Sequence, residues 1–191
     1  MISKLAKGTA CFFVDNKIIE AEDSEVYAYG IELLLSTIFN LIIAIIIAFI
    51  SNEFIPCVIN LTAFVTIRMY AGGYHADTHW GCMLTLACVL IIFILIIKTI
   101  SLTVMMISIP IMWILSAIII FIFSPVEHPN KPISDKKKLK LRNKSIISFF
   151  AWTAFCTIFY FIKSEISFYA MTGMFTVAGA IIAEKIKTHN K

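Results

Sequence analysis

Residues 68–82 read Arg-Met-Tyr-Ala-Gly-Gly-Tyr-His-Ala-Asp-Thr-His-Trp-Gly-Cys, bringing a cation, paired glycines, two imidazoles, a carboxylate and a thiol into one short stretch. A thiol attacks a carbonyl as its thiolate, so a nucleophilic cysteine needs an imidazole near enough to take its proton. His75 and Cys82 are residues of the right types for that exchange. Their spacing sets a condition. On a straight helix they would share a face yet stand about 10 Å apart along the axis, at roughly 1.5 Å rise per residue. The chain must therefore bend between them, and Gly72-Gly73 before His75 and Gly81 before Cys82 are the positions that permit it. Cys82 is then expected to begin a helix, where the N-terminal dipole favours a thiolate.

Attack on a carbonyl creates an oxyanion that needs donors, and backbone N–H groups at the head of that helix, or Arg68, are candidates. Asp77 is a candidate to orient His75 or steady its imidazolium, and equally a candidate helix cap. His75, Asp77 and His79 also make a set of ligand types that a metal accepts. Alternate spacing aligns them only on an extended strand, so no metal and no cofactor is assigned. Two other classes use the same cluster: a metal-dependent intramembrane hydrolase, and a transporter whose path is lined by Arg68, His75 and Asp77.

The elements that position these residues are set by composition. The 191 residues are 60% hydrophobic and only 15% charged, with a mean hydropathy of +0.90. These values lie outside the soluble range and indicate an all-α, polytopic membrane bundle with the lipid bilayer as its solvent. The net charge of +4 points to no nucleic acid, since basic residues in a membrane protein are first explained by orientation. Cys11, Cys57, Cys82, Cys88 and Cys156 are odd in number and scattered, which argues against a disulfide framework. A free cysteine in an apolar segment is ordinarily an inert packing residue. Cys82 is set apart by the ionisable cluster beside it, because such groups at membrane depth are costly.

Residues 2–13 carry apolar side chains at helical spacing, the pattern of an amphipathic helix lying in the membrane interface or packed on the end of the bundle. Residues 15–25 read as a loop or a short surface helix. No secretory signal pattern precedes them, so the N-terminus is expected to be retained. Six apolar segments follow: 31–50, 54–67, 82–97, 100–123, 145–162 and 166–183. Pro110 is expected to kink the fourth. The second and third fall short of the roughly 20 residues a span needs, and they flank the motif. Met69, Tyr70, Ala71 and Tyr74 are expected to complete them, leaving the motif partly inside the membrane. Gly173 and Gly179 read as helix-packing positions.

With the N-terminus inside, all of the sixteen Lys and Arg residues except Lys98 and Lys163 fall in cytoplasmic connections. The positive-inside rule thus selects six spans with both termini and the motif cytoplasmic; four spans with re-entrant short segments give the motif the same side. The expected organisation is one integral membrane domain over 1–191. It has a cytoplasmic or interfacial region at 1–30 and a basic cytoplasmic loop at 124–144, stiffened early by Pro125, Pro129 and Pro132. Lys136, Lys137, Lys138 and Lys140 in that loop either serve topology alone or meet an acidic peptide tail or anionic headgroups.

The pattern Arg68-x4-Gly73-x-His75-x6-Cys82 in a six-span chain resembles the accessory gene regulator B family, the membrane cysteine endopeptidases of Gram-positive quorum sensing. The Pro-rich segment 124–133 is also similar to that family's cytoplasmic loop. The resemblance spans essentially the whole chain. It implies a thiol protease of the cell membrane that processes an autoinducing peptide, with His75 and Cys82 as the catalytic pair and Arg68 and Gly73 as supporting positions. It further implies a short amphipathic precursor of the accessory gene regulator D type as substrate, cyclised to a thiolactone or lactone, and a homodimer.

Overall fold

A computed structural model describes residues 2–74, 78–126 and 134–189. Among them the chain forms seven helices: α1 (Ile2–Asp15), α2 (Ser24–Ile50), α3 (Phe54–Ala71), α4 (His79–Thr99), α5 (Leu102–Phe123), α6 (Asp135–Phe161) and α7 (Ile166–His189). A short 3-10 turn, Ala21–Asp23, precedes α2. Helices α2 to α7 are each long and apolar enough to cross a bilayer, so this is a polytopic membrane helical bundle with a short N-terminal helix. The two segments that looked short in the sequence are longer as helices, only partly through the residues expected: α4 gains His79 to Gly81 and Lys98 to Thr99. Met69, Tyr70 and Ala71 carry on α3, while Tyr74 lies beyond its end. Helix α5 runs through Pro110 without interruption.

The chain divides into two compact units, Met1–Ile50 with Ala76–Leu90, and Ser51–His75 with Ile91–Lys191. In the first, α1 packs on α2. Ala6 and Ala10, one turn apart, are buried, while Leu5 and Phe12 on other faces stay exposed. Small residues are buried along α2 as well (Ser36, Ala44 and Ala48), and most of its larger Leu, Ile and Phe side chains are exposed. Such an inversion suits a solvent of lipid tails, where close backbone approach rather than hydrophobic burial holds helices together.

The second unit is built around α7, more than half of whose membrane-length window is buried. Helices α3, α5 and α6 all pack against it. On α3 the buried residues Cys57, Asn60, Ala63, Ile67 and Ala71 repeat every three or four positions and make one face. Asn60 donates from Nδ2 to the Tyr169 carbonyl (3.2 Å) and to Thr172 Oγ1 (2.9 Å), locking α3 to α7. Trp152 Nε1 donates to Thr66 Oγ1 (2.7 Å), joining α6 to α3. Trp113 Nε1 donates to Thr153 Oγ1 (3.0 Å), joining α5 to α6. At the start of α3, the Lys98 ammonium donates to the Ser51 carbonyl (2.7 Å) and stands 3.7 Å from the Glu53 carboxylate.

The basic run expected as loop is largely helical. Residues 136–144 are the opening turns of α6, not loop. The run contains no glycine or proline, and Lys, Leu and Arg are good helix formers, so the helix starts as soon as the proline-rich segment ends. Ser134 is its N-cap residue, and its carbonyl accepts from the Lys138 N–H at 2.9 Å.

Candidate active site

Cys82 sits in the first turns of α4, three residues past the helix start at His79 rather than at the start itself. Thr78 closes the helix head. Its hydroxyl accepts from the Gly81 N–H (3.1 Å) and its carbonyl from the Cys82 N–H (3.1 Å). Gly81 is therefore helical and does not provide a bend. The cap thus engages the backbone N–H groups of Gly81 and of Cys82 itself, two of those expected to serve an oxyanion.

Cys82 is half-buried, and in the same unit the side chain of Asn40 on α2 meets it, Nδ2 donating to Sγ at 3.5 Å. The other amide atom, Asn40 Oδ1, is buried with no hydrogen-bond partner among the described residues. Asn40 stands ten positions before the end of α2, hence about 15 Å inside it at roughly 1.5 Å per residue. That is about half of a hydrocarbon core some 30 Å thick. Motif reading missed Asn40 because it lies far from residues 68–82 in sequence. The available signal was a carboxamide inside the apolar run Ile38-Phe39-Asn40-Leu41-Ile42, where a polar side chain is expensive unless it has a use.

In the other unit the beginning of the motif forms a pinned turn. Gly72 ends α3 with φ +75° and its N–H on the Arg68 carbonyl (3.0 Å), and Gly73 follows at φ +134°. These backbone conformations provide the expected bend, and they favour glycine. The room is also limited: a Cβ at Gly72 would lie 2.7 Å from the Val126 carbonyl oxygen, and one at Gly73 3.2 Å from Ala180 Cβ. Val126 N–H donates to the Ala71 carbonyl and Tyr74 N–H to the Ala180 carbonyl, each at 2.9 Å. The Arg68 guanidinium donates to the Tyr74 carbonyl and lies over the Phe64 ring, 5.2 Å from its centre. Arg68 and Gly73, expected as supporting positions, thus fix the backbone that runs into His75.

His75 and Asp77 themselves lie outside the described residues, as does the side chain of His79. Among the described residues no three His, Cys, Asp or Glu side chains converge as a metal site would require. Of the other thiols, Cys57 and Cys156 are buried in the helix packing, while Cys11 and Cys88 are exposed.

Lys136, Lys137, Lys138 and Lys140 are exposed along the start of α6. Of these only Lys138 lines the cavity of about 360 Å³ between the ends of α5, α6 and α7, where Arg142 and Lys185 join it beside Ile122, Phe123, Ser124, Pro125 and Leu139. Lys185 Nζ lies 5.2 Å from the centre of the Phe123 ring, and Arg142 donates to the Phe121 carbonyl at 3.2 Å. Ser124 and Ser145 hydroxyls bond at 2.8 Å and tie the segment after α5 to α6. Farther along, Lys144 covers Tyr70 and Lys187 covers Tyr74, each at 5.3 Å from the ring centre.

The sequence profile described as Accessory gene regulator B (AgrB) matches residues 6–183. The chain belongs to this family. Among its relatives is a putative AgrB-like protein of Clostridium perfringens strain SM101 (type A), 29% identical over 128 residues that cover 64% of this chain and 60% of the relative. A putative AgrB-like protein 2 of C. perfringens strain 13 (type A) is 27% identical over 128 residues, with the same coverage of both chains. The matched region thus spans about 60% of the length of these AgrB-like relatives. No solved structure matches the chain.

Proposed function

We propose that this AgrB-family chain is a membrane-embedded cysteine endopeptidase that removes the C-terminal tail of a short amphipathic precursor peptide and allows the remainder to cyclise. The observation that carries this reading is the Cys82 sulfur held beside the part-buried amide of Asn40 within an apolar helix, in a chain of that family. His75 acts as the base. It takes the Cys82 proton, Sγ forms a bond to the scissile carbonyl carbon, and the C–N bond breaks as His75 returns the proton to the departing amine. The product is an acyl thioester on Cys82 and a free tail.

An internal thiol of the precursor then attacks the thioester carbonyl and displaces the Cys82 thiolate, closing a thiolactone; a serine hydroxyl closes a lactone. Exchange between thioesters is nearly balanced, whereas water would destroy the intermediate irreversibly, which gives a physical reason to keep the sulfur at membrane depth. Forming a thioester from an amide is uphill, so removal of the tail or of the ring drives the sequence forward. Topologically, the distribution of Lys and Arg puts both termini and the motif on the cytoplasmic side of the cell membrane. There the exposed cations of α6, Lys136, Lys137, Lys138 and Lys140, meet an acidic tail in this reading. The bilayer and the precursor are the partners of this reading, with a second copy of the chain as the family's expected assembly.

Co-expression with a precursor peptide tests it. Cys82→Ser and His75→Ala each abolish cleavage, Cys57→Ala and Cys88→Ala leave it intact, and mass spectrometry finds an acyl adduct on Cys82. Retained cleavage by the Cys82→Ser protein overturns the proposal and favours a metal-dependent hydrolase or a transporter.

A further inference from the structure

We propose that the side-chain amide of Asn40 is the oxyanion donor for attack by Cys82, an assignment that rests on Cys82 being the nucleophile. Asn40, Thr78, Gly81 and Cys82 all belong to the unit that contains α2 and the first turns of α4. When Sγ bonds to a carbonyl carbon, negative charge gathers on an oxygen two bonds from the sulfur. A donor that serves it must already be beside the sulfur and must have a hydrogen to give. The backbone N–H of Cys82 is bonded to the Thr78 carbonyl and that of Gly81 to the Thr78 hydroxyl. Asn40 Nδ2, 3.5 Å from Sγ, carries two hydrogens. One is directed at the sulfur, where it steadies the thiolate before attack. The other is available to the new oxyanion.

The carbonyl half of the same amide strengthens the assignment. A buried acceptor without a partner is costly, so an amide retained in that condition is poorly explained as packing. Among the described residues Asn40 Oδ1 is an open acceptor next to the nucleophile, and the groups of a peptide substrate that match it are backbone N–H donors flanking the attacked carbonyl. One carboxamide would then do both jobs, donating to the oxyanion and registering the peptide. Water is a poor substitute for either at the depth of Asn40 within α2.

Two probes of Cys82 separate these roles without reference to the natural substrate. The full chain, with Cys11, Cys57, Cys88 and Cys156 replaced by alanine, is reconstituted in lipid vesicles and its modification followed by mass. Iodoacetamide alkylates the sulfur with no oxyanion formed, whereas p-nitrophenyl acetate acylates it through a tetrahedral oxyanion. Asn40→Ala is expected to slow acylation by about 10²-fold or more, while alkylation falls by no more than about tenfold. Asn40→Asp, whose carboxylate has no hydrogen to give, behaves like alanine, and Asn40→Gln recovers part of the acylation rate. Should the alanine protein fail to accumulate, the contrast between Asp and Gln decides.

Equal loss of both reactions overturns the proposal, as does unchanged acylation in Asn40→Ala or a wild-type Cys82 that is alkylated but never acylated. Failure of the wider peptidase reading shows itself separately, as precursor cleavage that survives Cys82→Ser.

Discussion

The carbonyl oxygen of Asn60 on α3 occupies the space in which a Cβ at Gly173 of α7 would stand, with the Cβ of Ala63 close beside it. This is backbone against backbone, and it lets the Asn60 amide reach Thr172 and the Tyr169 carbonyl. Gly173→Ala must push the two helices apart. We expect a loss of about 1–3 kcal/mol, read as a lowered midpoint of thermal unfolding in detergent or lipid. Gly179 faces open space, so Gly179→Ala serves as the control and is expected to change stability by no more than about 0.5 kcal/mol.

At Gly73 the constraint is conformational as well as steric. A side chain there meets Ala180 and must also adopt φ +134°. Gly73→Ala is expected to strain the turn by about 1–3 kcal/mol and to reduce precursor cleavage while the chain still reaches the membrane. Adding Ala180→Gly removes the contact and leaves the dihedral problem, so the double variant stays impaired. Full recovery in the double variant would show that only the contact mattered.

Arg68 is expected to resist conservative replacement. Its planar guanidinium donates to the Tyr74 carbonyl while lying over Phe64, and a lysine ammonium does not reproduce that combination. A hydrogen bond to a charged group contributes about 1.5–3 kcal/mol. Arg68→Gln should therefore slow precursor cleavage by tenfold or more, with Arg68→Lys intermediate. Equal activity of the three proteins would remove the turn from the mechanism.

Thr66→Val leaves the Trp152 indole N–H without its acceptor between α6 and α3. Polar contacts between membrane helices average only about 0.6 kcal/mol, because the separated helices find other partners. A small drop in unfolding free energy with cleavage unaffected is the expected result. A loss several times larger would mean that this contact holds the unit together.

The spans were legible because lipid demands long apolar helices and the sequence supplies six. A bend at Gly72-Gly73 was legible from the paired glycines, both of which adopt positive φ. The second bend expected at Gly81 is not found, since Thr78 caps the helix ahead of it and Gly81 is helical. The helical start of α6 was hidden by its charge, which reads as loop until propensity is weighed. Gly173 and Gly179 look alike in sequence, and only the partner face separates them. Asn40 was the principal omission: a motif is a contiguous stretch, whereas this contact brings together side chains on two different helices.

The Tyr74 N–H is bonded to the carbonyl of Ala180, a residue made roughly a hundred positions later. At synthesis rates of about 5–20 residues per second, that delay is of the order of 5–20 s. A growing chain therefore carries its thiol for some time before α7 exists to hold the turn that leads to His75. The clasp sets an order of events, in which the turn at Gly72-Gly73-Tyr74 is made well before the residue that fastens it. A nascent or truncated chain lacking α7 has Cys82 but not the Tyr74 anchor, and so cannot hold the turn at Tyr74 in its finished form while its own translation is incomplete.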